Sequence, residues 1–251
     1  KIAKILSTWD ELIEKQTKLI AAKEKRKNAL MQKLLTGKVR FPGSKGKWRT
    51  VKVEDIAANH KGAIKIGPFG SQLKKQDFTN AGYKIYDQET TFSDNFFGGN
   101  NFIGEEKFQS LKSCEVFPGD VLVSMMGSIG SVVIVPPNAP RGILNSHLLR
   151  IKPNTQLISS AFLKLSLGDS PVTQAQIKSK SHGGIMSGLS ASIIRSITFQ
   201  LPPDQEQDKI SELFSNLDSE IKLLNIGLDK MQAQKRGLMQ QLLTGKIRVK
   251  I

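Results

Sequence analysis

The sequence predicts an α+β protein: a globular domain with a twisted sheet and short helices, flanked by two long helices that form an antiparallel coiled coil. Three observations carry that prediction. One is a gapless internal repeat, Lys1–Arg40 against Lys209–Arg248, whose ends read LMQKLLTGKVR at Leu30–Arg40 and LMQQLLTGKIR at Leu238–Arg248. Another is a heptad seam along both copies. The third is the segment between them, where short apolar runs are bounded by Gly, Pro and Asn.

The first long helix comes from alternating steps of four and three: Ile2, Leu6, Trp9, Ile13, Gln16, Ile20, Lys23, Lys27, Leu30 and Leu34. The last helix repeats the pattern with Ile210, Phe214, Leu217, Ile221, Leu224, Leu228, Met231, Lys235, Leu238 and Leu242. Gly37 and Gly245 stand where a helix stop is expected. Neither stripe can be hidden by its own helix, so each copy is the natural partner of the other. About 34 residues give a rod of roughly 50 Å. With one domain at one end, antiparallel pairing spares the chain a return across that length. The pairing candidates are Ile2, Trp9, Ile13, Ile20, Leu30 and Leu34 with Ile210, Leu217, Ile221, Leu228, Leu238 and Leu242.

Residues 1–40, 41–205 and 206–251 are thus read as helix, domain and helix. Phe41–Gly46 (FPGSKG) is a linker. Trp48–Val53 alternates like an edge strand, and Glu54–Ala58 begins a short helix. Strands are expected at Tyr83–Tyr86, Glu115–Phe117, Val121–Met125, Val132–Val135, Leu148–Ile151 and Ile197–Leu201, and helices at Ser159–Leu167 and Val172–Lys180. Pro118-Gly119-Asp120 and Pro136-Pro137-Asn138 mark turns.

Composition narrows the function. The chain has 251 residues and a formal net charge of +15, with a pI of about 9.9, which points to a polyanionic partner. The charge divides as +7 on residues 1–40, +7 on 41–200 and +1 on 201–251. No apolar run approaches the ~20 residues needed to span a bilayer. The single cysteine, Cys114, excludes an internal disulfide and suits a reducing cytoplasm. No spacing of His60, His147 and His182 suggests a metal site, and no Walker A, GxSxG, HExxH or amino-methyltransferase tetrapeptide is present.

The flanking LLTGK repeats, GPFGSQLKK at Gly67–Lys75 and LPPDQEQDKI before the last helix together resemble the specificity subunit of a type I restriction–modification system. The resemblance covers essentially the whole chain. It corresponds to that family's second half: central conserved helix, second target-recognition domain, distal conserved helix. It implies a piece of a longer polypeptide, or a half-length subunit that pairs with itself. It further implies that the domain reads one half of a bipartite site in double-stranded DNA and that the helices act as a ruler. The implied partners are methyltransferase (M) subunits and a restriction (R) subunit in a bacterial or archaeal cytoplasm. The chain itself is then non-catalytic and holds no cofactor. S-adenosylmethionine belongs to the methyltransferase, and Mg and ATP to the restriction subunit. The alternative is a coiled-coil assembly protein whose middle domain binds a protein or ligand.

Candidate DNA contacts follow from residue chemistry. Lys74 and Lys75 suit phosphates, and Gln72 suits an adenine edge; the alternative is a structural turn with solvated lysines. Tyr86 and Gln88 end a strand in polar groups suited to bases or to structure. Arg141 and His147 lie in loops, Arg being the usual guanine reader. Lys178, Lys180 and His182 enter a Gly-rich loop, or else cap a helix C-terminus. Met126–Gly130 reads as a tight turn. The KEKRK run at Lys23–Lys27 is a solvated face or a groove for an acidic partner or DNA.

Overall fold

A computed structural model describes residues 1–92, 96–127, 129–181 and 189–248. In chain order the elements are α1 (Ile2–Leu34), β1 (Arg49–Lys52), β2 (Ile64–Ile66), β3 (Phe78–Thr79), β4 (Tyr83–Tyr86), α2 (Gln88–Phe92), β5 (Phe102–Ile103), α3 (Glu105–Ser110), β6 (Glu115–Val116), β7 (Val121–Ser124), β8 (Val132–Ile134), β9 (Gly142–Leu144), β10 (Leu148–Ile151), α4 (Ser160–Lys164), α5 (Pro171–Ser181), α6 (Ala191–Arg195), β11 (Thr198–Leu201) and α7 (Asp204–Leu243). They make two compact units: Lys1–Leu30 with Glu212–Ile251, and Met31–Ser211.

The helical unit is built on the expected seam. Within it, the seam positions of α1 and α7 are buried or half-buried. Asp10 meets Lys235, Gln16 meets Leu224, Lys23 meets Glu220 and Lys27 meets Asp218. Numbers rise along one helix as they fall along the other, so the pair is antiparallel. Lys23 and Lys27 are therefore committed to partners within the chain. For Lys23 and Lys27 this corrects the reading of KEKRK as a solvated face or an outside groove, whereas Glu24, Lys25 and Arg26 are exposed.

The repeated ends stop their helices alike. Gly37 and Gly245 adopt φ of +70° and +71°, the left-handed conformation that glycine takes without a Cβ penalty. Val39 donates to Lys33 O and Ile247 to Gln241 O, each at 3.2 Å. Thr36 and Thr244 each return a hydroxyl to the carbonyl four residues back, at 2.6 Å.

Among the described residues the globular unit contains three sheets, ordered β1-β11, β2-β10-β7-β8 and β3-β5-β4-β9-β6. All pairs are antiparallel except β4 with β9, which runs Lys84↔Gly142 to Tyr86↔Leu144. A Cβ on residue 142 would overlap the Lys84 carbonyl, so glycine permits this close pairing. Alternation along β4 and β9 sends side chains to both faces. Tyr86 and Leu144 join Leu122 and Leu148 of the four-stranded sheet, with Phe96, Val116 and Val135. Ile85 and Ile143 pack instead with Phe108, Leu111 and Cys114. The central strands β4 and β9 of the five-stranded sheet are thus covered on both faces, while its edge strand β3 is exposed.

Candidate nucleic-acid interface

Strand direction gathers several loops at one edge of the globular unit. β10 lies between β2 and β7 and runs against both, so its start meets their exits: Leu149 pairs with Ile66, and Leu148 with Ser124. The parallel strands β4 and β9 leave on the same side, because Leu144 leads through Asn145–His147 directly into β10. Four segments meet there: the start of Gly67–Lys75, Asp87–Gln88, Met125–Gly127 and Asn145–His147; Lys74 and Lys75 lead instead into β3, whose Phe78 is level with Tyr83 at the entrance of β4.

Main-chain bonds hold these segments together. Gly67 N–H donates to Leu148 O at 3.1 Å, Met125 N–H to His147 O at 2.9 Å, and Asn145 N–H to Tyr86 O at 2.9 Å. A Cβ on residue 67 would collide with the Asn145 carbonyl. The GPFGSQLKK stretch therefore needs its first glycine to lie against the 145–148 connection. Further along, the Asp77 carboxylate accepts from Lys74 N–H at 2.7 Å and pairs with Lys107 Nζ at 3.0 Å. Those two contacts hold Asp77 below the usual carboxylate range. The braced turn leaves Gln72, Lys74 and Lys75 exposed. His147 is also exposed, as are Phe69 (61%) and Met126 (47%) on the segments that flank it. Two exposed apolar side chains thus follow Gly67 and Met125, the residues whose N–H groups bind the 147–148 carbonyls.

Other candidates are placed differently. Tyr86 is fully buried, with its hydroxyl donating to Pro140 O, so it is a core residue and not a base contact. Burial pushes its phenol up to about 12. Gln88 spends its amide donors on Ser124 Oγ and Met126 O, so it holds the 124–127 turn rather than reaching outward. Arg141 sits at the entrance of β9, at the other end of the strands that deliver the loops. Its guanidinium binds Glu115 Oε1 through Nε (3.0 Å) and Nη2 (2.8 Å) and lies over the rings of Tyr83 and Phe108. Arg141, read as a candidate base contact, is thus engaged with Glu115 and the Tyr83–Phe108 stack, away from His147. Lys178 lines a shallow groove with Ile129, Gln174 and Ile177. Lys180 instead bonds Ser196 Oγ at 2.8 Å. His182 lies outside the described residues.

Sequence reading missed several charges that the fold consumes internally. Lys84 is buried and donates to Phe96 O and Gly98 O, and burial pushes its ammonium down. Arg150 donates to Glu115 O and Gly62 O, with Asp120 nearby. Burial pushes Arg150 down and Asp120 up, each against the pull of the other's charge. Counting cations along the chain therefore overstates those available to a ligand. Glu206 was also missed as a hub. It binds Arg40 through both oxygens, at 3.1 and 2.7 Å, and accepts from Trp48 Nε1 at 2.9 Å. Only its place in LPPDQEQ, just before the repeat, hinted at a role. Among the described residues, no group of three or more His, Cys, Asp or Glu could hold a metal ion, and no helix is long and apolar enough to cross a membrane.

The comparisons agree with this architecture. Over its full length the chain is 26% identical to a putative type I restriction enzyme specificity subunit, MjaX, of Methanocaldococcus jannaschii, covering 57% of that protein. It is 24% identical over 140 residues, 55% of its own length, to the MjaVIII specificity subunit of the same organism, of which it covers 32%. The chain thus spans little more than half the length of the first of these relatives and about a third of the second. Its fold matches the S subunit of a type I restriction–modification system from M. genitalium, with TM-score 0.61 and 17% identity, over 96% of this chain and 59% of that one. It also matches the HsdS subunit of Thermoanaerobacter tengcongensis, with TM-score 0.64 and 14% identity, over 96% and 55%. Residues 45–230 match the type I restriction modification DNA specificity domain, and with most of its length so matched the chain belongs to that family.

Proposed function

We propose that this chain is a DNA sequence-reading part of a type I restriction–modification enzyme. The observation that carries this reading is the match of residues 45–230 to the DNA specificity domain, in a fold that gathers Gly67, Met125–Gly127 and the exposed His147 at one strand edge and leaves Gln72, Lys74 and Lys75 exposed on the loop that follows Gly67. Lys74 and Lys75 bind phosphates and set position. Gln72 and His147 present hydrogen-bonding groups to base edges, with Phe69 and Met126 offering apolar contact. Gln88 and Gly67 act behind them by fixing the loops. The globular unit, within the proposed boundaries 41–205, reads one half of a bipartite site, and the helices of 1–40 and 206–251 set spacing and dock methyltransferase subunits. The chain makes no bonds itself. Adenine methylation with S-adenosylmethionine belongs to those subunits, and cleavage with Mg and ATP to a restriction subunit, all in the cytoplasm.

Membership of the DNA specificity family favours this reading over a coiled-coil assembly protein. The test is retention of duplex DNA as salt rises. Six phosphate contacts give about a thousandfold loss of affinity between ~50 and ~200 mM salt. Replacing Lys74 and Lys75 by Ala should weaken binding to all sequences alike and lower the salt slope by about two. No retention at either salt, with methyltransferase subunits present, would overturn the proposal.

A further inference from the structure

The seam of the two long helices is apolar except at four positions: Gln16, Lys23 and Lys27 on α1, and Lys235 on α7. Each of the four is answered across the pair. The Gln16 amide donates to Leu224 O at 2.9 Å, and Lys23 Nζ lies 2.5 Å from Glu220 Oε1. Lys27 pairs with Asp218, and Lys235 with Asp10. The three lysine side chains keep only 25%, 18% and 25% of their surface exposed. A leucine at any of these positions would extend the apolar seam. A polar seam residue instead gives up stability and specifies one register.

The sequence allows the alternatives to be checked. A purely apolar heptad seam accepts a slip of seven residues, because the same faces still meet. Here such a slip sets Lys23 opposite Gly227 or Leu213, and Lys27 opposite Asn225 or Ser211. It sets Lys235 opposite Thr17 or Ala3, and leaves Asp10 facing Leu228 or Leu242. In either direction all three lysines lose the acid they face in the observed register. The aligned acids Asp10, Asp218 and Glu220 therefore answer one register.

We infer that Gln16, Lys23, Lys27 and Lys235 form a register lock that sets the working length of the helix pair. Through that length they set the separation at which DNA half-sites are read, a clause that rests on the DNA-reading function proposed above. They are positioning residues and need touch no nucleotide.

The test uses the full chain with spin labels at Lys4→Cys and Ser219→Cys. Cys114 is buried. Both labelled positions are exposed, and they lie at different levels of the rod. The parent should give one interlabel distance. The variant Lys23→Leu/Lys27→Leu/Lys235→Leu should keep its helical circular dichroism and gain a second distance population, displaced by about 10 Å, one heptad of helix rise. A single, unmoved distance in that variant would show that the connection through the globular unit sets the register, and would overturn the lock. Should the leucine variant lose its helicity, a charge swap decides. Lys27→Asp alone should broaden the distribution, and Lys27→Asp with Asp218→Lys should restore one distance; failure to restore it overturns the lock. Failure to retain DNA in any salt defeats the proposed function without moving the distances. An unmoved distance in a DNA-binding chain defeats the lock alone.

Discussion

Gly67 shows how one residue can hold a candidate site in place without touching a ligand. Its position leaves no room for a Cβ beside the Asn145 carbonyl, and its N–H is bound to Leu148 O. Gly67→Ala should push the GPFGSQLKK loop off the 145–148 connection. The expected result is a destabilisation of ~2 kcal/mol, the scale of overpacking, together with weaker DNA binding. Chemical denaturation and DNA retention measure the two effects. Loss of binding with unchanged stability would contradict the packing argument. Gln88 and Tyr86 make the complementary point. Their chemistry suited base reading, yet one is tied to Ser124 and Met126 and the other is buried. Residue type alone does not tell a contact from its support, because both uses need the same donors and acceptors.

At the scale of elements, the junction inside the globular unit rests on Glu206 in the first turn of α7. It gathers Arg40 and Trp48, which follow the α1 stop. Burial opposes its negative charge, but the bonds from Arg40, Trp48 and Ser44 outweigh that penalty and hold its carboxyl below the ordinary range. A carboxyl depressed in the folded state stabilises the fold above its unfolded value of about 4.3, and that contribution is lost as pH falls through the folded value. Glu206→Gln should therefore lower stability near neutral pH by about 2 kcal/mol, the range for hydrogen bonds to charged groups. The difference from the parent should shrink as pH falls below ~4.3. Unfolding curves across pH 3 to 7 test this; a difference that stays constant over the range would remove Glu206's charge from the account.

At the scale of the molecule, two repeated helices and one inserted domain divide the proposed work into measuring and reading. Matched seven-residue insertions at one level separate measuring from the register lock. One goes between Ile20 and Lys23 and the other between Ile221 and Leu224. They preserve both seam and pairing and lengthen the rod by about 10 Å. In an assembled enzyme the gap between half-sites should grow by roughly three base pairs, at 3.4 Å each. Mapping the methylated site checks it; an unchanged gap would show that the helices do not measure. The formal +15 is also reapportioned at this scale, since Lys84, Arg150, Lys23 and Lys27 are committed to internal partners.

Much was legible in the order of residues alone. The two long helices, their seam, their glycine stops and strands β4, β7 and β10 follow from periodicity and turn chemistry, which act over a few neighbouring residues. The three-residue strands β2 and β9 escaped notice, because such short runs carry too few repeats to reveal a period. Other features depend on contacts distant in sequence. The parallel β4–β9 pair joins residues more than fifty apart, and the Arg40–Glu206 bond spans 166 positions. The choice of Ile85 for one core and Tyr86 for the other follows from which faces the sheet covers. Local pattern states which side chains need burial or a partner. It does not state which partner, because loop closure costs grow only slowly with length and leave many pairings open. Packing resolves that choice. It spends some lysines internally, sets Gly67 against the connection that carries His147, and leaves Gln72, Lys74 and Lys75 exposed further along that loop.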